Sequence, residues 1–293
     1  MIEDYLGACY NLSHIPGENV YPVDKDGEEE NMDEVNKTLY IPLYGKSEVS
    51  KKKIIINDPY AEKIWAAEHF KVKGKAKSKW LTYNMAMRAR IFDDWVCERL
   101  KENPDAVVLH IGCGLDSRFL RVTEKYQTWV DADFPEVIEL RKKYYSENEH
   151  YMMHPFNAAE PEKFEEFPDG DCVIIVFEGI SMYLKNEELN EFFKAAEKKY
   201  KKVLVLMDVY TVFGAKASKY KNPINDVGVT TVWGIDHVED VLKDTAIKCK
   251  TEHSLTPKRL VEELIGFEKR FFKLMFTGSF YRKIYRLYEL ESE

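Results

Sequence analysis

Between Val107 and Val209, four short runs of mostly β-branched and aliphatic residues alternate with stretches of helical spacing. The runs are Val107–Ile111, Thr128–Val130, Val173–Phe177 and Val203–Val209. Apolar segments of this length between turn signals read as buried strands. Strands that alternate with helices pair in parallel through right-handed crossovers, which leaves an α/β, doubly wound, Rossmann-like sheet as the expected fold. Tyr151–Met153 fits a short strand between the second and third of these. Glu187–Lys201 reads as a helix with Phe192, Phe193, Ala195 and Ala196 inward. Upstream, Ile91 and Trp95, with Phe92, Val96 and Leu100, recur at four-residue spacing, so Leu81–Leu100 is expected to lay an apolar stripe on the sheet. Downstream come a weak strand at Ile247–Glu252, a helical run from Pro257 to about Phe272, and a polar/apolar alternation over Tyr281–Tyr288. That last segment is expected as an antiparallel strand beside an inner neighbour. Residues 1–80 read as an N-terminal helical lid extension, and 81–293 as the main domain with a lid insertion at about 210–240.

Composition narrows the function. The 293 residues carry 43 Lys+Arg against 51 Asp+Glu, a formal charge of −8, which removes the positive field that non-specific nucleic-acid binding needs. The longest apolar runs have five residues, far short of the roughly 18 that span a bilayer. No basic and apolar leader is readable at Met1–Tyr5, so a cytoplasmic protein is expected. Cys9, Cys97, Cys113, Cys172 and Cys249 are scattered and odd in number, as reduced thiols are. His150 and His154 share a helical spacing but lack the Glu of a metalloprotease motif and precede Pro155, so no metal is expected. The acidic patch Glu28–Glu30 and the alternating lysines 71, 73, 75, 77 and 79 read as solvated surface.

The chemistry concentrates at strand ends. Val107–Ile111 runs into Gly112-Cys113-Gly114, where the missing Cβ atoms let backbone approach a ligand closely. Asp131 and Asp133 end the second strand, where a carboxylate is placed to accept from ribose hydroxyls. Both NAD enzymes and S-adenosylmethionine (SAM) enzymes use this arrangement. The dinucleotide fingerprint wants a third small residue where Ser117 stands, and Asp116 would repel a pyrophosphate on the turn. Glu178, at the tip of the Val173 strand, is expected to face the same crevice. Two acids there favour a cationic ligand such as a sulfonium. Gly179-Ile180-Ser181 is no nucleophile elbow, because Tyr183 occupies the second glycine position.

Four segments together resemble the leucine carboxyl methyltransferase family, and within it the tetracenomycin polyketide O-methyltransferase branch. They are Arg88-Ala89-Arg90-Ile91-Phe92-Asp93-Asp94, Gly112–Arg118, Asp131–Val137 and Glu178–Leu184, flanked by Thr38–Tyr44 and Trp233–Asp236. The resemblance runs over roughly residues 38–290. It implies a Rossmann-like methyltransferase sheet, SAM as cofactor and O-methylation of a small polyketide-like molecule. It also implies that Arg90 binds the SAM carboxylate with help from Lys46, that Gly112 and Gly114 pass under the methionine portion, that Asp133 holds the ribose, and that Glu178 meets the amino end. Asn157 stands where many relatives carry an Asp beside the adenine, and its amide can still accept. His110 stands where the wider class often carries an acid. Arg118 is expected to be a buried structural partner.

Methyl transfer by in-line displacement needs alignment and exclusion of water more than catalytic side chains. A carboxylate acceptor is already ionised, whereas a phenol would use a base, for which His237 in the expected lid is the candidate. Tyr210, Phe213, Tyr220 and Trp233 are candidates for an acceptor pocket or for cap packing. The alternatives are an NAD-dependent oxidoreductase and a SAM-binding protein without turnover. The sequence does not give the oligomeric state.

Overall fold

The computed structural model describes residues 38–221 and 232–292, apart from positions 71 and 73. Cys9, Glu28–Glu30, Lys71, Lys73 and the side chains of Lys75 and Tyr220 lie outside what is described. Two helices, α1 (Tyr40–Ser50) and α2 (Pro59–Glu68), precede the long helix α3 (Lys79–Glu102). Asp58 caps α2 by accepting from the Ala61 N–H at 2.9 Å, with Pro59 at the first helical position, where a missing N–H costs nothing. α1 crosses α3 at Gly45, where an added Cβ would stand 3.0 Å from Met85 Cβ, so a larger residue would press the two helices apart by a few tenths of an ångström.

Seven strands follow, β1 (Val107–Ile111), β2 (Thr128–Asp133), β3 (Tyr151–Pro155), β4 (Cys172–Phe177), β5 (Lys202–Tyr210), β6 (Ile247–His253) and β7 (Tyr285–Ser292). They form one sheet in the order β3-β2-β1-β4-β5-β7-β6. The first five pair in parallel, and β7 inserts antiparallel between β5 and β6, with Tyr210 opposite Tyr285. This is the doubly wound α/β sheet that the alternation requires. β1, β4 and β5 are buried along nearly their whole length, the condition under which parallel strands lose polar alternation.

Helices cover both faces. On one, α3 buries Ala86, Ala89, Phe92 and Val96 in a core shared with Leu43, Val49 and Ile56 of the preceding segment. Residues 40–68 thus pack into the same core as the sheet. On the other, α5 (Asn186–Lys199) buries Phe192, Phe193 and Ala196, with Ala195 half-buried; α4 (Pro135–Lys142) lies between β2 and β3 in the chain. The expected helix from Pro257 to Phe272 is instead two pieces, Lys258–Val261 and α6 (Gly266–Phe276), because Gly266 takes a left-handed φ of +56°. The expected strand over Tyr281–Tyr288 starts only at Tyr285, since Ser279–Arg282 completes a helical turn. No helix among the described residues is long and apolar enough to cross a membrane.

Candidate active site

The sheet order reverses between β1 and β4, and open α/β sheets bind ligands in the crevice outside the strands' carboxyl ends at such a switch point. A cavity of about 510 Å³ lies there. One half is built by strand ends and their turns: His110–Asp116, Asp133, Phe134, Phe156–Ala159 and Glu178–Ile180. The other half is aromatic and apolar, with Trp80, Leu81, Met85, Tyr183, Tyr210, Phe276, Tyr281 and Tyr285.

The glycine turn is held open by backbone geometry. Gly112 has φ +68° and Gly114 φ +50°, and a Cβ on Gly112 would fall 2.1 Å from Ile180 Cγ2. The Gly114 N–H donates to Asp133 Oδ2 at 2.7 Å, and the Phe134 N–H to Asp133 Oδ1 at 2.8 Å. Burial nevertheless raises the Asp133 carboxyl to about 6, against the opposing pull of those two N–H groups.

Glu178 sits between two guanidinium groups. It accepts from Arg88 Nε at 2.9 Å and pairs with Arg118 Nη2. Burial pushes its carboxyl up, but Arg118 and Arg88 outweigh that and hold it at about 2. Behind it a buried ionic cluster extends in both directions. Asp116 meets Lys46 Nζ at 2.7 Å, Arg121 Nη1 at 2.9 Å and Arg118 Nη2 at 3.5 Å. Asp93 bridges Arg118 and Arg121, and Asp58 reaches Arg121 at 2.7 Å. On the far side, Arg88 Nη1 donates to Asp208 Oδ2 at 3.0 Å and to Tyr285 Oη at 2.9 Å. Among the described residues Arg88 Nη2 makes no hydrogen bond, and it lies against Gly179.

The structure brings Lys46, Gly112, Gly114, Asp133, Asn157, Glu178 and Tyr210 to this cavity. Asn157 is folded on itself there, donating to Glu160 and accepting from the Ala159 N–H. Several expectations need correction. Arg90 does not line the cavity; its Nε pairs with Asp94 at 2.8 Å and its Nη1 donates to the Ile55 carbonyl. Two residues along a helix are some 200° apart, so Arg88 faces the cavity where Arg90 cannot. Asp131 lies one pleat repeat back from the strand tip, completely buried, paired with Arg141 and accepting from the Tyr151 hydroxyl and Trp129 Nε1. His237 is exposed at the start of a helical turn, and Trp233 is 44% exposed; neither lines the cavity. Phe213 likewise points outward. The histidine at the cavity is His110, buried, with Nδ1 3.2 Å from Asp131 and its pKa lowered chiefly by desolvation.

Sequence reasoning missed Arg88, Asp208, Tyr285 and Trp80. The signal for Arg88 was available: Asn84, Arg88, Phe92 and Val96 continue one four-residue stripe, so an arginine there had to be buried and paired. Among the described residues no group of His, Cys, Asp and Glu could hold a metal ion. His154 pairs with Glu166 at 3.2 Å, and His150 is exposed.

The fold and the strand-end crevice define a Rossmann-like α/β class with a ligand-sized cavity over the carboxyl ends of β1, β2 and β4. Comparison with known proteins adds to this: residues 45–160 match the leucine carboxyl methyltransferase family. The tetracenomycin polyketide synthesis O-methyltransferase TcmP of Streptomyces glaucescens is 32% identical over 152 residues, 52% of this chain and 56% of that protein. The S-adenosyl-L-methionine-dependent methyltransferase dpfgK of Gibberella zeae is 28% identical over 174 residues, 52% of this chain and 57% of that protein. The chain thus spans a little over half the length of these curated relatives. Among solved structures, geranyl diphosphate C-methyltransferase from Streptomyces coelicolor A3(2), with S-adenosyl-L-homocysteine bound, aligns at TM-score 0.46 and 13% identity, covering 78% of this chain and 83% of that one. The matched family and both curated relatives are methyltransferases, and none of them is an oxidoreductase.

Proposed function

We propose that the chain is a cytoplasmic SAM-dependent O-methyltransferase whose acceptor oxygen belongs to a carboxylate or a phenolic hydroxyl of a polyketide-like small molecule. The observation that carries this reading is the pair of acids in one crevice: Glu178, kept ionised between arginines, and Asp133, at the lip of the glycine turn. The residues fit SAM in charge as well as shape. When all are ionised, Asp58, Asp93, Asp116, Glu178 and Asp208 exceed Lys46, Arg88, Arg118 and Arg121 by one negative charge, which a ligand with a sulfonium and an ammonium would offset.

Gly112 and Gly114 would let the methionine portion lie on the turn, Asp133 would accept from the ribose hydroxyls, and Glu178 would meet the amino group. Arg88, through its free Nη2, replaces Arg90 as the partner of the ligand's carboxylate, with Lys46 beside it. SAM supplies an electrophilic methyl group. The protein's own work is to align the acceptor and shut out water. α1, α2 and the segment after β5 are proposed to act as the lid.

Thermal unfolding tests the reading. SAM and S-adenosylhomocysteine at about a hundred times their Kd should stabilise the fold by roughly 2.7 kcal/mol, while NAD should not shift the transition. A shift with NAD alone, or with none of the three, defeats it. By calorimetry, Arg90→Ala should bind S-adenosylhomocysteine within about twofold of the parent. Glu178→Gln should bind more than about tenfold weaker, since a charged hydrogen bond contributes about 1.5–3 kcal/mol.

Asp133 gives a pH dependence of definite sign. Ribose hydroxyls donate to the ionised carboxylate, so affinity for S-adenosylhomocysteine should be full at pH 7.5 and fall as pH drops through about 6, in steps approaching tenfold per unit. Asp133→Asn should be weaker and flat over the same range. Without ligand the linkage runs the other way. A carboxyl raised in the native state binds its proton before the unfolded chain does, so it favours folding increasingly as pH falls from about 6 towards its ordinary value of 3.8.

A further inference from the structure

The aromatic half of the cavity ends on a hydrogen-bonded chain that the cofactor reading does not use. Tyr285, at the first position of β7, lines the cavity, stacked at a tilt 4.9 Å from Tyr210. Its hydroxyl donates to Asp208 Oδ2 and accepts from Arg88 Nη1 at 2.9 Å. A phenol oxygen has one hydrogen and two lone pairs, so one lone pair remains for a donor in the cavity. Asp208 is completely buried one layer behind. It also takes the Gly179 N–H on Oδ1 at 2.7 Å, and burial raises its carboxyl in spite of Arg88. The wall around Tyr285 is flat and aromatic: Trp80, Phe276 and Tyr281 line it, with the Trp80 and Phe276 rings 6.1 Å apart.

We propose that Tyr285 and Asp208 form a proton relay for a neutral phenolic hydroxyl, which makes an aromatic alcohol rather than a carboxylate the acceptor of this site. The inference rests on the SAM reading above. The direction of the hydrogen bonds carries it. Tyr285 offers the cavity a lone pair, which suits an O–H donor and repels a carboxylate. Arg88 does not reverse that preference, because its Nε and Nη1 are committed to Glu178, Asp208 and Tyr285 and its Nη2 is assigned to the cofactor's carboxylate. In the transfer the acceptor oxygen forms the new O–C bond, and the methyl's bond to sulfur breaks with its electrons left on sulfur. The hydroxyl proton passes to Tyr285 Oη as the tyrosine's own proton passes to Asp208 Oδ2. Once the product has left, the proton passes back from Asp208 Oδ2 to Tyr285 Oη, which releases its own to water in the emptied cavity. Tyr285 touches the reacting oxygen; Asp208 acts through it.

The test compares the parent protein with Tyr285→Phe and Asp208→Asn, using naphthol, naphthoate and pentafluorophenol, which is ionised at neutral pH. The parent should methylate naphthol and not naphthoate. Tyr285→Phe should lose about a hundredfold in turnover on naphthol, in the range general-base removal costs. It should lose less than about threefold on pentafluorophenol, which has no proton to give up. Asp208→Asn should show the same split. Binding of S-adenosylhomocysteine by Tyr285→Phe should stay within about threefold of the parent, which separates a lost relay from a lost fold. Transfer to naphthoate alone, transfer to neither aromatic, or an equal loss on naphthol and pentafluorophenol overturns the relay. Absence of S-adenosylhomocysteine binding by the parent would instead overturn the SAM reading beneath it.

Discussion

Arg88→Ala should be the most damaging single substitution in the site, lowering stability by about 3–5 kcal/mol and abolishing measurable cofactor binding. The reason is what the arginine leaves behind. Glu178 retains Arg118, but Asp208 loses the only guanidinium within reach among the described residues and is buried completely. An uncompensated buried carboxylate must take up a proton or disrupt its surroundings. For a chain of this size the transition temperature should fall by roughly ten degrees, at about 2–4 °C per kcal/mol. A double-mutant cycle isolates the cause. Arg88→Ala with Asp208→Asn should be more stable than Arg88→Ala alone, because the amide removes the stranded charge. If the two substitutions are simply additive in chemical denaturation, the damage comes from elsewhere in α3.

The same cluster explains why so much charge is buried beside the cavity. Buried ion pairs are weak contributors to net stability, since desolvation consumes most of their attraction. Surface pairs such as Lys51–Glu48 and Lys142–Glu139 are also worth little. What the buried set supplies is fixed geometry. Each carboxylate is held by two or more donors, so Glu178 and Asp116 keep their charge and position without a ligand to organise them. A ligand then meets dipoles already oriented, which lowers the cost of binding.

The parts of this arrangement that were legible from sequence are those that a local pattern encodes. The strand runs, the glycine turn and the acids at strand tips depend on residues within a few positions of one another, and Gly112, Asp133 and Glu178 could be placed on that basis. β7 was legible in type but not in extent, because the turn Ser279–Arg282 interrupts the alternation. A motif names both Arg88 and Arg90, and only helix phase against Phe92 and Val96 shows that Arg88 is the one that reaches the cavity. Asp131 and Asp133 share a face, so alternation could not separate them; depth below the strand tip did. Asp208 and Tyr285 were out of reach. They meet through pairing of strands 77 residues apart, and nothing near either one in sequence announces the other. His237 and Trp233 lie away from the cavity for the converse reason, since proximity in sequence to a family signature says nothing about which way a loop side chain turns.

Gly112→Ala should test the crevice itself. At φ +68° the new Cβ meets backbone strain of about 1–3 kcal/mol, and it would stand 2.1 Å from Ile180 Cγ2. A contact that short is impossible, so Ile180 must move. Ile180 follows Gly179 and precedes the turn of Ser181–Tyr183, and its own β-branch leaves it few rotamers. Overpacking of this kind costs about 1–3 kcal/mol, so a total loss of about 2–6 kcal/mol is expected. Affinity for S-adenosylhomocysteine should also fall by more than about tenfold, because the methyl occupies the turn where the ligand would lie. Adding Ile180→Ala should return the overpacking part of the stability and leave the backbone strain. Recovery of stability without recovery of affinity in that double variant would mean that the glycine serves the ligand directly. Recovery of both would mean that it serves only the packing of one strand end against the next.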